Sequence, residues 1–288
     1  MTARLMDGKA VAHTVRSEVA AEVAALVSSG RPAPGLATVL VGDDPASEVY
    51  VRNKRRQSVE AGMVDLHRHL PADISQRELE SVLDDLAADP AVSGILLQLP
   101  VPGHLDTSAL LARIPAGKDV DGLTVDNAGL LSQGHPGLVP CTPSGVMRLL
   151  DEYQVSLSGA DVVVVGRSEL VGRPMAQLLL QRDATVTQCH SRTKDLVGAC
   201  RRSDVVVVAA GVPGILGADA VKPGATVIDV GIHRTPHGLT GDVRFAEVES
   251  VAGLLTPVPG GVGPMTIAML LANTVAAARA LSERSVGV

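Results

Sequence analysis

Aromatic side chains are nearly missing from this 288-residue chain: it has no tryptophan, and only Tyr50, Tyr153 and Phe245 carry a six-membered aromatic ring. The core must therefore be aliphatic, and little capacity exists to stack nucleobases. With a net charge of −6 there is no broad basic face either, so nucleic acid is not an expected partner. Cysteine is also scarce. Cys141, Cys189 and Cys200 are odd in number, widely spaced and without a Cys-x-x-Cys pair. They read as reduced thiols of a cytoplasmic protein, not as a disulfide framework or a zinc site. Residues 1–10 hold no apolar signal-peptide core, and no uninterrupted apolar run reaches membrane-spanning length, so no membrane is expected. Internal repeats and low-complexity tracts are absent. A hydrophobic share of 46% over this length suits one large or two medium globular domains.

What the chain does have is short β-branched runs that stop at glycine. The clearest lies in Gly159-Ala-Asp-Val-Val-Val-Val-Gly-Arg-Ser-Glu-Leu-Val-Gly-Arg-Pro-Met175. Val162 to Val165 read as a strand buried on both faces, and a helical pattern begins near Val171. A buried strand, a tight glycine turn and a helix N-terminus together form an anion site, because unpaired N–H groups and the helix dipole converge there. A dinucleotide pyrophosphate is expected at this turn. The Gly-x-Gly-x-x-Gly fingerprint would need glycine where Ser168 and Val171 stand, and the next glycine is Gly172. Gly166 keeps the tight turn, Arg167 offers a fixed positive charge and Ser168 a hydroxyl donor. An ordinary strand–loop–helix crossover would look the same to this point.

The following residues favour the dinucleotide. The next strand, Ala184 to His190, ends in Ser191, Arg192 and Thr193, with no acid before Asp195. A carboxylate about twenty residues past the turn would suit NAD, whereas a basic, hydroxyl-bearing strand end suits a 2′-phosphate and hence NADP. Asp204–Ala210 and Ala225–Ile232 read as two further strands. Strand and helix thus alternate across residues 159–232, the doubly wound α/β pattern. Thr256-Pro-Val-Pro-Gly-Gly-Val-Gly-Pro-Met-Thr266 is a second glycine-rich loop, before an apolar helix expected from Ile267 to about Ala280.

The front of the chain forms a βα-type domain of its own. Asp7–Ser29 reads as a helix and Leu36–Val41 as a strand. A second helix follows, with Asp44 as N-cap and Pro45 at its first position. Met63–Leu70 reads as one strand, Ser75–Glu78 as a capping box, Gly94–Pro100 as a buried strand and Asp106–Ala112 as a short helix. Gly134-His-Pro-Gly137 is the expected domain boundary, and Thr142 the expected N-cap of the helix after it. Tyr50 and Lys54 are four apart and share one helix face, phenol beside ammonium. A nearby cation lowers a phenol's pKa and burial lowers a lysine's, so such a pair can move protons near neutrality. A solvated basic helix, with Arg52, Arg55 and Arg56 around it, is the plainer alternative. Tyr-x-x-x-Lys also occurs in short-chain dehydrogenases, but there it follows the glycine turn and here it precedes it. Gln98 ends a strand where an open α/β sheet lines its ligand crevice. Asp119 and Asp121 can bind a cation or accept hydrogen bonds from an amidine-like ring. With two carboxylates and no histidine, a metal site is the weaker option, and none is expected.

These strings together resemble one family, the bifunctional methylenetetrahydrofolate dehydrogenase/methenyltetrahydrofolate cyclohydrolases. The resemblance spans nearly the whole chain and rests on Ala46-Ser47 with Tyr50-x-x-x-Lys54, Gln98-Leu-Pro100, Lys118-Asp-Val-Asp-Gly122, Pro140-Cys-Thr-Pro143, Gly166-Arg-Ser168 and Thr256 to Thr266. His233 stands where many members have asparagine. The resemblance implies oxidation of methylenetetrahydrofolate with NADP⁺, then hydrolysis of the methenyl product to 10-formyltetrahydrofolate. It implies Lys54 as base, with Tyr50 and Gln98 orienting it and Asp121 on the pterin. Ser47, Pro257, Gly260 and Gly261 would also contact substrate, and Gly166, Arg167, Ser168, Ser191 and Ile232 would contact the cofactor. It further implies a catalytic domain over residues 1–139 and a Rossmann-like NADP domain over residues 140–267. A cleft would lie between them, residues 268–288 would pack back on the first domain, and two chains would form a homodimer through the cofactor domains. Three other readings compete. One is a dehydrogenase without the hydrolase half, another a hydroxy-acid dehydrogenase of similar plan, and the third an NADP-sensing module without chemistry.

Overall fold

The computed structural model describes residues 2–236 and 238–286. It divides into two compact units: one joins the first thirteen residues to Thr142–Ala268, and the other joins Thr14–Cys141 to the residues from Met269 on.

In the second of these units a four-stranded parallel sheet is organised on Gly35–Val41, every residue of which is buried. Gly94–Leu97 pairs along one side of it, and Val64–Asp65 and Arg68–Leu70 along the other. The strand expected over Met63–Leu70 is thus split at Leu66–His67. There the His67 ring turns inward, with Nδ1 2.8 Å from Thr38 Oγ1 and 3.0 Å from the Thr38 carbonyl. The Pro45–Glu60 helix starts as its sequence indicates: Asp44 Oδ2 accepts the Ser47 N–H at 2.8 Å, and Pro45 needs no partner. The Ser75–Glu78 capping box is likewise present on Gln76–Ala88. That helix packs Leu79, Leu83 and Leu86 onto Val39, Ile95 and Leu97, and its C-terminal carbonyls are held by Lys118 Nζ, 2.8 Å from the oxygens of both Ala87 and Asp89. A helix not anticipated, Val125–Gln133, is capped by Thr124 and stopped by Gly134 at φ 72°.

The last helix, Val262–Val286, begins five residues earlier than expected. Its Val262–Glu283 stretch has the length and apolarity of a membrane span, yet half of its most apolar eighteen residues are buried inside the protein. Its later part is tied to the unit just described by Arg279–Glu22 (3.0 Å) and Arg31–Ser282 (2.9 Å), and by the Asn273 amide.

The other unit holds an all-parallel sheet in the order Arg4–Leu5, Leu254–Leu255, Thr226–Asp229, Val205–Val208, Asp161–Val165, Thr185–Cys189. Val163, Val165, Val206, Val208, Val227 and Leu255 form its core, as β-branched runs buried on both faces require. Thr185–Cys189 and Val205–Val208 flank Asp161–Val165 on opposite sides, so the sheet changes its direction of growth there. In doubly wound folds, the carboxyl ends of strands at such a switch are where ligands bind.

Four expectations need correction. Arg4–Leu5 belongs to this sheet and not to the front domain, a pairing too short to leave a pattern. The third crossover, after Val205–Val208, contains only the 3₁₀ turn Ala218–Ala220. The fourth strand ends at Asp229, before an antiparallel hairpin of His233–Thr235 and Gly238–Thr240. Thr142 lies within the Cys141–Glu152 helix and is not its cap; its Oγ1 sits 2.9 Å from Thr266 Oγ1.

A buried carboxylate anchors the carboxyl edge of this sheet. Asp229, 3% exposed, accepts N–H groups of Gly231 (3.0 Å), Asp242 (2.9 Å) and Val243 (3.0 Å), while its own N–H donates to Thr256 Oγ1 at 2.7 Å. Burial pushes its pKa up to about 6 against the pull of those donors, and Asp242 adds to the rise. The folded chain therefore binds more protons here than the unfolded one. The stabilising contribution is complete below about pH 4 and is lost as pH rises through about 6. Asp229→Asn should accordingly gain on the wild type as pH is raised from about 4 to 7, by up to about 3 kcal/mol. Urea denaturation across that range measures the difference, and one that does not change with pH would contradict it.

Candidate functional site

The Pro45–Glu60 helix directs Ser47, Val51, Lys54 and Ser58 inward, at the spacing of a single face. Lys54 is thereby buried, and its Nζ donates to Gln98 Oε1 at 3.0 Å. Gln98 follows the Gly94–Leu97 strand, and its own Nε2 donates to the Leu99 carbonyl at 2.7 Å, which fixes the amide with its oxygen toward the lysine. Tyr50, one turn earlier and largely exposed, places its ring centroid 5.8 Å from Lys54 Nζ, so the ammonium lies over the ring. Ser47 is buried, and its N–H serves the Asp44 cap.

The two acids of Lys118-Asp-Val-Asp-Gly122 have different roles. Asp119, 1% exposed, accepts from Gly122 N (3.0 Å), Thr124 N (2.8 Å) and Asn127 Nδ2 (2.9 Å), and its backbone bridges to Ile95. It shapes the turn. Asp121 is left to face Lys54 and Cys141. Burial raises its carboxyl pKa, the Lys54 charge opposes that, and Asp119 reinforces it. Cys141 is buried beside the Asp121 carboxylate, and both facts hold its thiol well above the usual range. The protonated thiol donates to the Val120 carbonyl at 3.3 Å. From the last helix, Asn273 Nδ2 donates to the carbonyls of Val120 and Val139, each at 2.9 Å. Cys141 and Asn273 are structural members of this site that the sequence reading did not place in it. The one available signal was an amide inside the apolar stretch Met269–Val275. Arg55 and Arg56 are engaged with Asp65 and Glu60, both at 2.8 Å, and Arg52 is exposed. Among the described residues, no group of three or more His, Cys, Asp or Glu side chains could hold a metal.

In the other unit, close approach explains the unusual glycine spacing. A Cβ on Gly166 (φ 130°) would sit 2.2 Å from the Ala209 carbonyl oxygen, and one on Gly172 would sit 2.4 Å from the Gly166 oxygen. These are the contacts of a backbone cradle at the sheet's switch point, which no larger residue permits. Ser168 has a second part beside the donor one expected of it. Its Oγ accepts the N–H groups of Val171 (3.2 Å) and Gly172 (3.3 Å) at the start of the Gly172–Leu180 helix, leaving its hydroxyl proton to donate outward. Arg167 and Ser191 are exposed, and the Gly166 turn is joined to the neighbouring strand end by Gly166 N–Cys189 O (2.9 Å) and Gln188 Nε2–Gly166 O (3.1 Å). Ile232, expected at the end of a buried strand, is 48% exposed. Pro257 to Gly261 form a turn closed by Gly261 N–Pro257 O at 2.8 Å. Gly260 adopts φ 108°, and Gly8 packs so closely on Gly261 that a Cβ would overlap its oxygen. Tyr50, Lys54, Gln98 and Asp121 therefore lie together in one unit. Gly166, Arg167, Ser168, Ser191, Ile232, Pro257, Gly260 and Gly261 lie in the other.

Comparison with known proteins covers both units. Residues 6–121 match the tetrahydrofolate dehydrogenase/cyclohydrolase catalytic domain, and residues 140–282 match the NAD(P)-binding domain of the same family. The chain is 69% identical over 280 residues to the bifunctional protein FolD 2 of Frankia casuarinae, covering 97% of each. A solved structure of the bifunctional methylenetetrahydrofolate dehydrogenase/cyclohydrolase FolD from Campylobacter jejuni is similar with a TM-score of 0.94 and 46% identity, over 96% of this chain and 99% of that one. The Trypanosoma brucei methylenetetrahydrofolate dehydrogenase-cyclohydrolase, solved with NADP and an inhibitor, is similar with a TM-score of 0.93 and 40% identity, over 98% and 99%.

Proposed function

The chain belongs to the tetrahydrofolate dehydrogenase/cyclohydrolase family, and from that membership we propose how its residues divide the work. It is a bifunctional enzyme of one-carbon folate metabolism. It oxidises methylenetetrahydrofolate to methenyltetrahydrofolate with NADP⁺ and hydrolyses the product to 10-formyltetrahydrofolate. The observation that carries the assignment of roles is the buried Lys54 ammonium, held by Gln98 and facing Asp121.

Hydride transfer requires no acid or base, only positioning of the reacting carbon. Asp121 orients the pterin by accepting hydrogen bonds from its amino group and ring N–H, with Ser47, Pro257, Gly260 and Gly261 as further substrate contacts. When bound, NADP⁺ accepts the hydride. The backbone cradle of Gly166 and Gly172 fits a pyrophosphate, which no side chain there would obstruct. Arg167, Ser168, Ser191 and Ile232 complete the cofactor contacts, with Arg167 and Ser191 nearest the 2′-phosphate.

Hydrolysis needs a base. Lys54, in its deprotonated state, takes a proton from water as the water oxygen bonds to the methenyl carbon. The bond from that carbon to the pterin ring nitrogen then breaks, the second water proton ends on the freed nitrogen, and the formyl group stays on the other nitrogen. Gln98 fixes the direction of Nζ, and Tyr50 covers it. We also assign the protein to the cytoplasm, which suits three free, buried cysteines. A homodimer is supported by the Thr185–Cys189 strand, an unpaired sheet edge suited to a second copy of the chain.

Lys54→Met should reduce methenyl hydrolysis at least about 100-fold while NADP⁺ affinity stays within about twofold. Hydrolysis at the wild-type rate would remove Lys54 as base. Arg167→Ala should weaken NADP⁺ about tenfold or more while affecting NAD⁺ little, since a charge-assisted bond to the 2′-phosphate is lost. Equal losses for both cofactors, measured by titration, would place that phosphate elsewhere.

A further inference from the structure

Asp242 has no part in the roles assigned above, yet it is 0% exposed and its carboxylate has three partners at the carboxyl edge of the six-stranded sheet. Its Oδ2 accepts the N–H groups of Ala210 (2.7 Å) and Gly211 (2.9 Å), and its Oδ1 lies 2.6 Å from His233 Nε2. A Cβ on Gly231 would stand 2.4 Å from the same Oδ1, so the backbone before Ile232 lies directly on this carboxylate. The contacts converge on the cofactor turn. Ala210 follows Ala209, whose carbonyl forms the floor under Gly166 and whose N–H donates to Val165 O at 2.7 Å. His233 follows Ile232, a cofactor contact. A carboxylate alone can accept from three N–H donors with both oxygens, which an amide in its place could not do.

We propose that His233 and Asp242 form a positioning pair for the cofactor. Asp242 clamps the Ala210–Gly211 turn against the Gly166 cradle, and His233 locks that carboxylate while fixing Ile232 beside it. The proposal rests on the reading of the Gly166 turn as the NADP site. His233, whose side chain is 20% exposed, is the half of the pair that can be altered without opening the core. Removing its N–H leaves Asp242 short of one charged-acceptor bond, so the turn and Ile232 lose their register. The consequence should fall on cofactor affinity and not on the chemistry at Lys54.

The test compares wild type, His233→Ala and His233→Gln, whose amide nitrogen reaches to about the position of Nε2. NADP⁺ binding is measured by calorimetry, dehydrogenase kinetics with NADP⁺ varied, and hydrolysis of added methenyltetrahydrofolate without cofactor. His233→Ala should weaken NADP⁺ and raise its KM about tenfold. Its kcat at saturating cofactor should stay within about twofold and hydrolysis should be unchanged, and His233→Gln should restore affinity. Unchanged NADP⁺ binding in His233→Ala would overturn the pairing, as would failure of His233→Gln to restore it or hydrolysis falling in step with binding. A wild-type protein that does not bind NADP⁺ would overturn the cofactor reading itself, and this inference with it.

Discussion

An ammonium group taken out of water is costly unless donors and charges around it are placed to compensate, and half-measures destabilise more than an apolar replacement would. Lys54 imposes that constraint here. Its compensation comes from three elements distant in sequence: its own helix, the end of the Gly94–Leu97 strand through Gln98, and the Asp119–Gly122 turn through Asp121. Each of those is itself held. The Leu99 carbonyl orients the Gln98 amide, and Asp119 uses its carboxylate on the turn that presents Asp121. Asn273 and Cys141 hold the Val120 carbonyl between the two acids. The same arrangement that makes burial of Lys54 tolerable leaves one polar cluster of an amine, an amide and a carboxylate, the groups to which the proposed hydrolysis assigns the base, its orientation and the pterin contact.

The other unit solves a related problem with the charge reversed. Asp229 closes the Thr226–Asp229 strand and Asp242 follows the Gly238–Thr240 hairpin strand, and both are buried carboxylates. Both direct oxygens at backbone N–H groups of loops, and Asp242 also holds the His233 ring. Such loops have no regular ladder to fix them, and a buried acceptor-only group is a rigid substitute. Under the proposed cofactor role, the geometry of these loops would set how closely a dinucleotide can approach Gly166, where a Cβ would stand 2.2 Å from the Ala209 oxygen.

Much of this architecture was legible in the chain. The Asp44 cap, the Ser75–Glu78 box and the valine runs of the six-stranded sheet follow from local rules that neighbours in sequence satisfy. Arg4–Leu5 and the split at Leu66–His67 were not legible, because a two-residue strand has no periodicity and His67 answers to Thr38 across the sheet. The site divides in the same way. Tyr50, Lys54, Gln98 and Asp121 could be named from helix spacing, strand ends and family resemblance, but only the resemblance separated Asp121 from Asp119, whose part in shaping the turn shows through its partners. Ser168 was read for its donor proton while its oxygen serves the following helix. Cys141, Asn273, Asp229 and Asp242 act through contacts whose other half lies far along the chain, 153 residues away for Asn273 and Val120.

The most direct test of the central claim, that one chain carries both reactions, is a single spectrophotometric time course. Methylenetetrahydrofolate is supplied with NADP⁺, and NADPH and methenyl absorbance are followed together. NADPH should form with little methenyl accumulation, because hydrolysis at Lys54 consumes it. Methenyl rising one for one with NADPH, or no NADPH at all, would contradict a coupled bifunctional enzyme.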